Sequence, residues 1–179
     1  GKLHAPNWFI ENQDGSKNPH DEIDNPFRSA EVLQAHVDEG LKYARKNRLP
    51  KPIANFIPEH QGTLKMGYFF QKAKEKNLKI NENDFRYKGP IPQSKETAIL
   101  MLADGCEAAL RAMNINASDN EALETISRII YSRHKDGQLE DSDLSKGEIF
   151  LIKRAFLNVW KRIRHRRIQY PTSKNNTFS

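Results

Sequence analysis

The chain has 179 residues, a net charge of +6 at pH 7, 37% hydrophobic residues and a single cysteine. This length is enough for one domain with its own core, and one cysteine excludes a framework of intrachain disulfide bonds. With no apolar run long enough to span a membrane and no signal-peptide pattern at its start, we expect a soluble domain from a reducing compartment.

Helical periodicity and capping residues predict an all-α fold. Asn25 and Pro26 have the pattern of an N-cap and a first helical residue. Two capping boxes, 118–121 and 145–148, mark the starts of the last two helices. Residues 11–25 and the Gly/Pro-containing stretch 79–93 are predicted to be irregular. In chain order, the predicted helices cover residues 27–46, 51–61, 65–76, 94–113, 119–134 and 146–167.

Asp104 lies in a helical stretch, residues 98–110, with few other polar side chains. Apolar residues cover one stripe and much of the opposite side, which predicts a helix buried all round. A buried carboxylate costs on the order of several kcal/mol unless a cation or several donors meet it. The nearest cation on its own face, Arg111, lies roughly 10 Å along the axis. We therefore expect a partner from elsewhere in the fold, with a metal ion as the leading candidate.

Two histidines are predicted to face the same core. His36 lies beside the apolar stripe of its helix, and His60 continues the apolar face of the next helix before Gly62 ends it. Imidazole and carboxylate are ligands that transition metals favour. Together with Asp104 they predict a metal site, whereas either histidine alone is more simply a hydrogen-bonded core residue.

Positive charge is concentrated at the C-terminal end. Residues 160–179 contain six basic residues and no acidic residue, so the rest of the chain is neutral. Such a segment can bind an anionic membrane surface, a nucleic acid or a phosphate-bearing ligand. It can also be the solvated end of a helix, where the dipole favours cations. The basic residues are Lys161, Arg162, Arg164, Arg166, Arg167 and Lys174.

Several segments, in order along nearly the whole chain, resemble one known family, and the block from PQSKE to LAD is the most specific of them. The segments are GKLHAPNWFIENQ, NPHD, SAEVLQAHV, FIPEHQGT, FRYKGPIPQSKETAILMLAD, DGQLEDSDL and HRRIQYP. They resemble the cytoplasmic HD domain of the seven-transmembrane HD phosphohydrolases, the PgpH-type cyclic di-AMP phosphodiesterases. The resemblance implies an HD-domain helical bundle over residues 1–171, with a polar tail at 172–179. It also implies a centre of two divalent transition metals, iron or manganese, and hydrolysis of cyclic di-AMP to linear pApA.

Residue by residue, the resemblance implies metal-ligand roles for His36, His60 and Asp104. Lys2 resembles the lysine of the family's HDxGK motif, which implies a catalytic position near the metals. The His-Asp pair of that motif would then precede Gly1, and the chain alone is expected to be incomplete for catalysis. The family commonly has two adjacent histidines before Gly-Thr. Gln61 stands in place of the second, and an amide is a poor ligand for a transition metal.

His20-Asp21 also spells the two-letter motif, but the resemblance places it outside the metal dyad. Flanking Pro19, Asp24 and Asn25 indicate turn structure, with a contact near the ligands or the substrate as the functional alternative.

The loop at 79–93 and the helix start that follows have the composition of a nucleotide-binding surface. Arg86 and Lys95 can bind phosphate, Tyr87 can stack on a base, and Ser94 stands where a helix start offers free N–H donors. The simpler interpretation is a surface loop with solvated charges.

We therefore expect a cyclic di-AMP phosphodiesterase that forms the cytoplasmic part of a membrane protein, with oligomerisation left open. The second hypothesis is a degenerate HD module that binds a nucleotide as a signal without cleaving it, which Gln61 supports. A cyclic di-GMP enzyme is disfavoured because no GYP signature follows His60. We expect no nucleic-acid partner, since a nuclease role would rest on the basic end alone.

Overall fold

The structure, a computed structural model, describes residues 2, 6–9, 18–114 and 116–167, with side chains in the last helix up to residue 164. Within this part the fold is all-α, as predicted, and the only β-type pairing is a single bridge between Lys65 and Arg86. The helices are α1 Pro19–Ile23, α2 Pro26–Lys46, α3 Lys51–Ala54, α4 Phe56–Glu59, α5 Gly67–Glu75, α6 Lys95–Arg111, α7 Asp119–Lys135 and α8 Lys146–Arg167. Short 3-10 turns occur at Pro6–Trp8 and Glu82–Phe85. None of these described helices is long and apolar enough to cross a lipid bilayer.

The predicted helix starts are confirmed by side-chain capping. The Asn25 side chain accepts hydrogen bonds from the N–H groups of Phe27 and Arg28 at the start of α2. Ser118 and Glu121 form a reciprocal capping box at α7. At α8, Ser145 and Glu148 form the same pair of bonds. Each cap satisfies N–H groups that have no partner inside the helix.

Two predictions of secondary structure were wrong in detail. The helix expected at 51–61 is divided into α3 and α4 at Asn55. Because Pro58 has no N–H, it cannot donate to the carbonyl of Ala54, and the helical bond across the break is missing. The segment before Asn25, expected to be irregular, contains the short helix α1, which is capped by the Asn18 side chain. Residues 10–17 lie outside the described part.

The buried apolar side chains form two clusters. The first joins α6, α7 and α8 and consists of Ala98, Leu102, Cys106, Ile126, Ile130, Leu139 and Ile152. The second joins α2, α5 and the turn before Arg86, and consists of Ala30, Met66, Phe69, Ala73 and Phe85. The helix α4 packs against both α2 and α6, so it lies at the junction of the two clusters.

The carboxylate of Glu59 joins α4 to the start of α6. Its side chain is only 2% exposed. One carboxylate oxygen, Oε2, accepts two hydrogen bonds. The Thr97 hydroxyl donates one at 2.7 Å, and the backbone N–H of Gln93 donates the other at 2.9 Å. Because a buried carboxylate without partners is strongly unfavourable, these bonds fix α4 relative to α6.

The prediction that α6 is buried all round was wrong. Its buried side chains, including Leu102 and Cys106, lie along one stripe, whereas Leu100 on another face is 39% exposed. Asp104 is exposed, so its carboxylate is solvated and does not need a buried cation. The error arose because a helix rich in alanine and leucine is apolar on faces that no other element covers.

The single cysteine is a buried core residue. Cys106 is 2% exposed in the first cluster, and burial raises the pKa of its thiol to about 11. The side chain is therefore a neutral thiol at physiological pH, as expected for a small hydrophobe.

Part of the basic C-terminal end holds the start of α7. Lys161 forms an ion pair with Asp119 at 2.5 Å, and an Arg164 guanidinium N–H donates to the carbonyl of Ala117. These contacts favour a structural role for both cations. Lys174 lies outside the described residues.

The two faces of α6 give a matched test of the packing. Leu102→Ala is expected to lower the free energy of unfolding by about 2–5 kcal/mol, because Leu102 is 0% exposed and its removal leaves a cavity. Leu100→Ala, the same change two residues away, is expected to cost less than about 1 kcal/mol. Urea denaturation followed by circular dichroism measures both, and equal losses would contradict the one-sided packing of α6.

Candidate functional site

His36 on α2 and His60 at the end of α4 face each other. Their ring centroids are 5.8 Å apart and the ring planes are inclined by 67°. His36 is buried and His60 is half-buried. We call these two residues the histidine pair. The structure thus brings together two of the three predicted metal ligands, from helices that contact each other at the junction of the two apolar clusters.

The ring orientation of both histidines is set by backbone carbonyls. The Nδ1 of His36 donates to the carbonyl of Leu33 at 2.5 Å. The Nδ1 of His60 donates to the carbonyl of Ile57 at 2.7 Å and lies 3.1 Å from that of Phe56. Because a carbonyl oxygen can only accept, each Nδ1 carries the proton. A neutral ring of this tautomer has an unprotonated Nε2, whose lone pair is the group that binds metals.

The Nε2 of His36 is buried and has no hydrogen-bond partner among the residues that the structure describes. Burial is the main cause that lowers the pKa of His36 to about 4, and the nearby ammonium of Lys2 contributes to this lowering. The ring is therefore neutral at physiological pH, and the lone pair of its buried Nε2 is available to a ligand. An unpaired buried acceptor of this kind is rare in folded proteins unless a ligand or an ion uses it.

Two aromatic rings pack against His36. Phe9 packs edge-on against His36, with 5.4 Å between the ring centroids, and Tyr87 packs edge-on from another side at 6.0 Å. The ammonium group of Lys2 lies 5.3 Å from the centroid of the Phe9 ring. Two residues predicted from the sequence, Lys2 and Tyr87, are thus located beside His36.

Asp104 is near the site but is not part of a compact ligand cluster. Its negative charge, together with burial, raises the pKa of the Tyr87 hydroxyl, so the carboxylate lies within electrostatic reach of Tyr87. However, among the described residues no three His, Cys, Asp or Glu side chains are close enough to hold one ion. The metal-ligand assignment of Asp104 stays a prediction.

The donor chemistry of the histidine pair fits a divalent transition metal. Two imidazoles, each with its Nδ1 bonded to a carbonyl, are the usual form of such ligands, and the described residues give the buried Nε2 of His36 no other partner. The pair supplies two ligands, and the described residues bring no third ligand, whether carboxylate or imidazole, to the same place.

The other predicted substrate contacts have partners inside the protein. Ser94 caps α6 by accepting from the N–H of Thr97, and Lys95 pairs with Glu148 at 2.6 Å. Arg86 donates to Glu82 and to the carbonyl of Thr63, and its guanidinium lies 3.4 Å from Asp136. Their role in binding a substrate is not tested by these contacts and stays a prediction.

His20 is separate from the histidine pair. It lies in α1, is 7% exposed, and its Nε2 donates to the carbonyl of Trp8 at 2.9 Å. Its ring packs against Trp8 and Phe69. The side chain thus joins the Pro6–Trp8 turn to α5, which is a structural role.

Three residues of the site were not selected from the sequence. Phe9 lies against His36, Glu59 fixes the helix that carries His60, and Gln138 bonds to Thr63 just after it. The only signal for Glu59 is its position next to His60 on an otherwise apolar helix. Gln138 lies 78 residues after His60 in sequence, so no local pattern links the two.

Comparison with known proteins identifies close relatives, although no protein-family model matches the chain. An uncharacterised protein of Synechocystis sp. is 47% identical over 176 residues. The cyclic-di-AMP phosphodiesterases PgpH of Bacillus subtilis and Listeria monocytogenes are 39% and 38% identical over 171 and 175 residues. These matches cover 96%, 96% and 98% of this chain but 22%, 24% and 24% of the relatives. The chain therefore spans about a quarter of the length of the curated relatives it matches.

Two crystal structures of the HD domain of Listeria monocytogenes PgpH match the fold. The domain in complex with cyclic-di-AMP matches with a TM-score of 0.85 at 36% identity, over 90% of this chain and 75% of that chain. A second structure of the domain matches with a TM-score of 0.84 at 35% identity, over 92% and 76%.

The depressed pKa of His36 predicts a pH dependence of stability. Since the folded pKa of about 4 lies below the ordinary value of 6.5, the unfolded state binds the proton more readily, and stability falls as pH decreases from 6.5 to 4. The loss is on the order of 2–3 kcal/mol. We expect His36→Asn to flatten this slope in thermal denaturation between pH 4 and 7. The pKa of His20 is also lowered by burial, so part of the slope remains.

The matched control is His134→Asn, which changes an exposed histidine of α7. It is expected to keep the wild-type slope. A His36→Asn variant with the full wild-type slope would show that His36 is not a buried neutral group.

Proposed function

Because the chain belongs to the family of PgpH-type HD domains, we propose that it is a metal-dependent phosphodiesterase domain that hydrolyses cyclic di-AMP to linear pApA. The family membership and the HD-domain helical bundle, both predicted from the sequence, are confirmed by the structural match at 36% identity. The match to a domain in complex with cyclic-di-AMP is the observation that carries the proposed substrate.

We propose two divalent transition metals, iron or manganese, as cofactors, with His36 and His60 among their ligands and Asp104 as a further one. The paired imidazoles and the unpartnered Nε2 of His36 support this role. When bound, such metals lower the pKa of a water molecule and neutralise charge on the phosphate. The protein's contribution is to hold the two imidazoles beside each other, each with its Nδ1 bonded to a carbonyl.

Two further side chains have the chemistry to bind the phosphodiester. Lys2 provides a positive charge near His36 that offsets the charge of the phosphate. The Tyr87 hydroxyl stays protonated because burial and the charge of Asp104 raise its pKa, so it can donate a hydrogen bond to a phosphate oxygen. For Arg86, Ser94 and Lys95, binding the substrate would require exchange of an internal partner.

We propose that the domain is the cytoplasmic part of a longer membrane protein. The curated relatives are about four times as long as the matched region, which is consistent with further domains. The proposed ligand is the cyclic dinucleotide, and no nucleic-acid partner is proposed. Two of the cations in the basic end hold the start of α7, which weakens the case for a nucleic-acid surface there.

The second candidate is a domain that binds the nucleotide as a signal without cleaving it. Gln61, directly after His60, favours it because a carboxamide is a weaker ligand for a transition metal than imidazole. The difference between the two candidates is turnover, since both bind the dinucleotide.

The test of turnover uses the full-length protein loaded with Mn²⁺ and incubated with cyclic di-AMP, with products separated by chromatography. We expect linear pApA, and we expect His60→Ala to lower the rate by more than about 100-fold, because it removes a ligand and not merely its support. His134→Ala, at an exposed position of α7, is expected to leave the rate unchanged.

Binding without hydrolysis would favour the second candidate. In that case Gln61→His, which supplies a second imidazole next to His60, is expected to introduce hydrolysis. Absence of both binding and hydrolysis in the wild-type protein would exclude both candidates.

A further inference from the structure

We propose that Gln138 is a positioning residue that holds the turn after His60, and through it the orientation of the histidine pair. The importance of that orientation rests on the proposed function, whereas the contacts themselves do not. Gln138 follows the end of α7, in the connection to α8, and its side chain is 1% exposed. Its hydrogen bonds reach Thr63, three residues after His60.

The main contact of Gln138 is a double hydrogen bond to Thr63. The Gln138 carbonyl oxygen accepts from the backbone N–H of Thr63 at 3.0 Å. The amide nitrogen of the same side chain donates to the Thr63 hydroxyl at 2.8 Å. A single buried carboxamide thus satisfies two polar groups of one residue, with a fixed geometry that a single hydrogen bond would not give.

The third polar group of Thr63 is also bound. Its carbonyl accepts from the Arg86 guanidinium at 2.9 Å. The same guanidinium lies 3.4 Å from Asp136, and Asp136 accepts from the Gln138 amide at 3.2 Å. Thr63, Arg86, Asp136 and Gln138 therefore form one closed network. This arrangement gives Arg86 a positioning role as well.

Gly62 allows this close approach. It adopts a left-handed conformation with φ +52°, which glycine reaches without strain. A Cβ atom at this position would lie 2.4 Å from the Gln138 side-chain oxygen and 2.6 Å from the terminal methyl of Met101. A side chain there would displace these two groups and strain the backbone, so the turn packs directly onto Gln138 and α6.

His60 is consequently fixed from both sides along the chain. On one side, the neighbouring Glu59 is bonded to Thr97 and Gln93 at the start of α6. On the other side, Thr63 is bonded to Gln138 after α7. The carbonyls of Phe56 and Ile57, which accept from the Nδ1 of His60, lie in α4 just before Glu59, whereas the backbone that follows His60 is held at Thr63. Loss of the Gln138 bonds releases the backbone on the C-terminal side of His60, and the imidazole of His60 is then held less rigidly.

The test compares Gln138→Leu with the wild-type full-length protein. Leucine keeps a similar volume but leaves the Thr63 N–H and hydroxyl without a partner. In the metal-free protein at neutral pH, long-range ¹H–¹⁵N NMR of the histidine rings is expected to change from one Nδ1–H tautomer of His60 to a mixture of two. The affinity for Mn²⁺ alone, measured by calorimetry, is expected to fall about 10–100-fold.

The matched control is Ser142→Ala. Ser142 is in the same connection, is also 1% exposed, and its hydroxyl donates to the carbonyl of Leu139 at 2.7 Å, away from the turn. We expect this variant to lose stability but to keep the wild-type tautomer of His60 and the wild-type Mn²⁺ affinity. If Gln138→Leu does not fold, Thr63→Val replaces it, because valine removes only the hydroxyl and leaves the N–H bond. We expect Thr63→Val to change the His60 tautomer and the Mn²⁺ affinity in the same direction as Gln138→Leu, by a smaller amount.

A folded Gln138 or Thr63 variant with an unchanged His60 tautomer and unchanged Mn²⁺ affinity would overturn the inference. An equal effect of Ser142→Ala would also overturn it, since the effect would then be one of general stability. These measurements need no turnover. Failure of the wild-type protein to hydrolyse cyclic di-AMP would therefore contradict the proposed function without deciding the role of Gln138.

Discussion

The hydrogen bonds from the two imidazoles to carbonyls of their own helices determine what the site can do. Each bond runs from Nδ1 to a residue three positions earlier, so the ring orientation follows from the local path of the backbone. The result is two rings that both carry a proton on Nδ1. For His36 the backbone is the middle of a long helix. For His60 it is the short helix α4, whose position depends on contacts made by its neighbours.

The location of α4 explains why the site lies between the two apolar clusters. The helix is too short to be stable alone, since an isolated helix of fewer than about 12 residues is marginal in water. It is held by α2 on one side and α6 on the other, and by the buried carboxylate of Glu59. The break at Asn55 and the left-handed Gly62 delimit this segment. Because both ends of this segment are fixed, the imidazole of His60 has a fixed orientation although α4 itself is short.

Much of the fold was predictable because the long helices carry their own signals. Capping boxes at Ser118 and Ser145 and the Asn25-Pro26 start depend only on neighbouring residues, and all three are confirmed. The break before Phe56 and the helix α1 were missed, since they depend on one proline and on the packing of His20 against Trp8 and Phe69. The exposure of Asp104 was missed for a related reason. Hydrophobic periodicity cannot show which apolar face another element covers.

The site was predictable only in part. Periodicity selected His36 and His60 as core-facing residues, and the structure brings their rings together. The resemblance selected Lys2 and the composition of the 79–93 loop selected Tyr87, and both lie near His36. The supports of the site, Glu59 and Gln138, act through partners 34 to 75 residues away in sequence. A single amino-acid sequence, taken by itself, contains no record of which distant residues form such pairs.

The burial of Cys106 has a practical consequence for spectroscopy. The only thiol of the chain is enclosed by the first cluster and stays protonated at neutral pH. It is therefore a poor target for maleimide reagents. A cysteine introduced on the surface, for example at the 65% exposed Tyr131, would carry a fluorophore or spin label selectively without removal of the native residue.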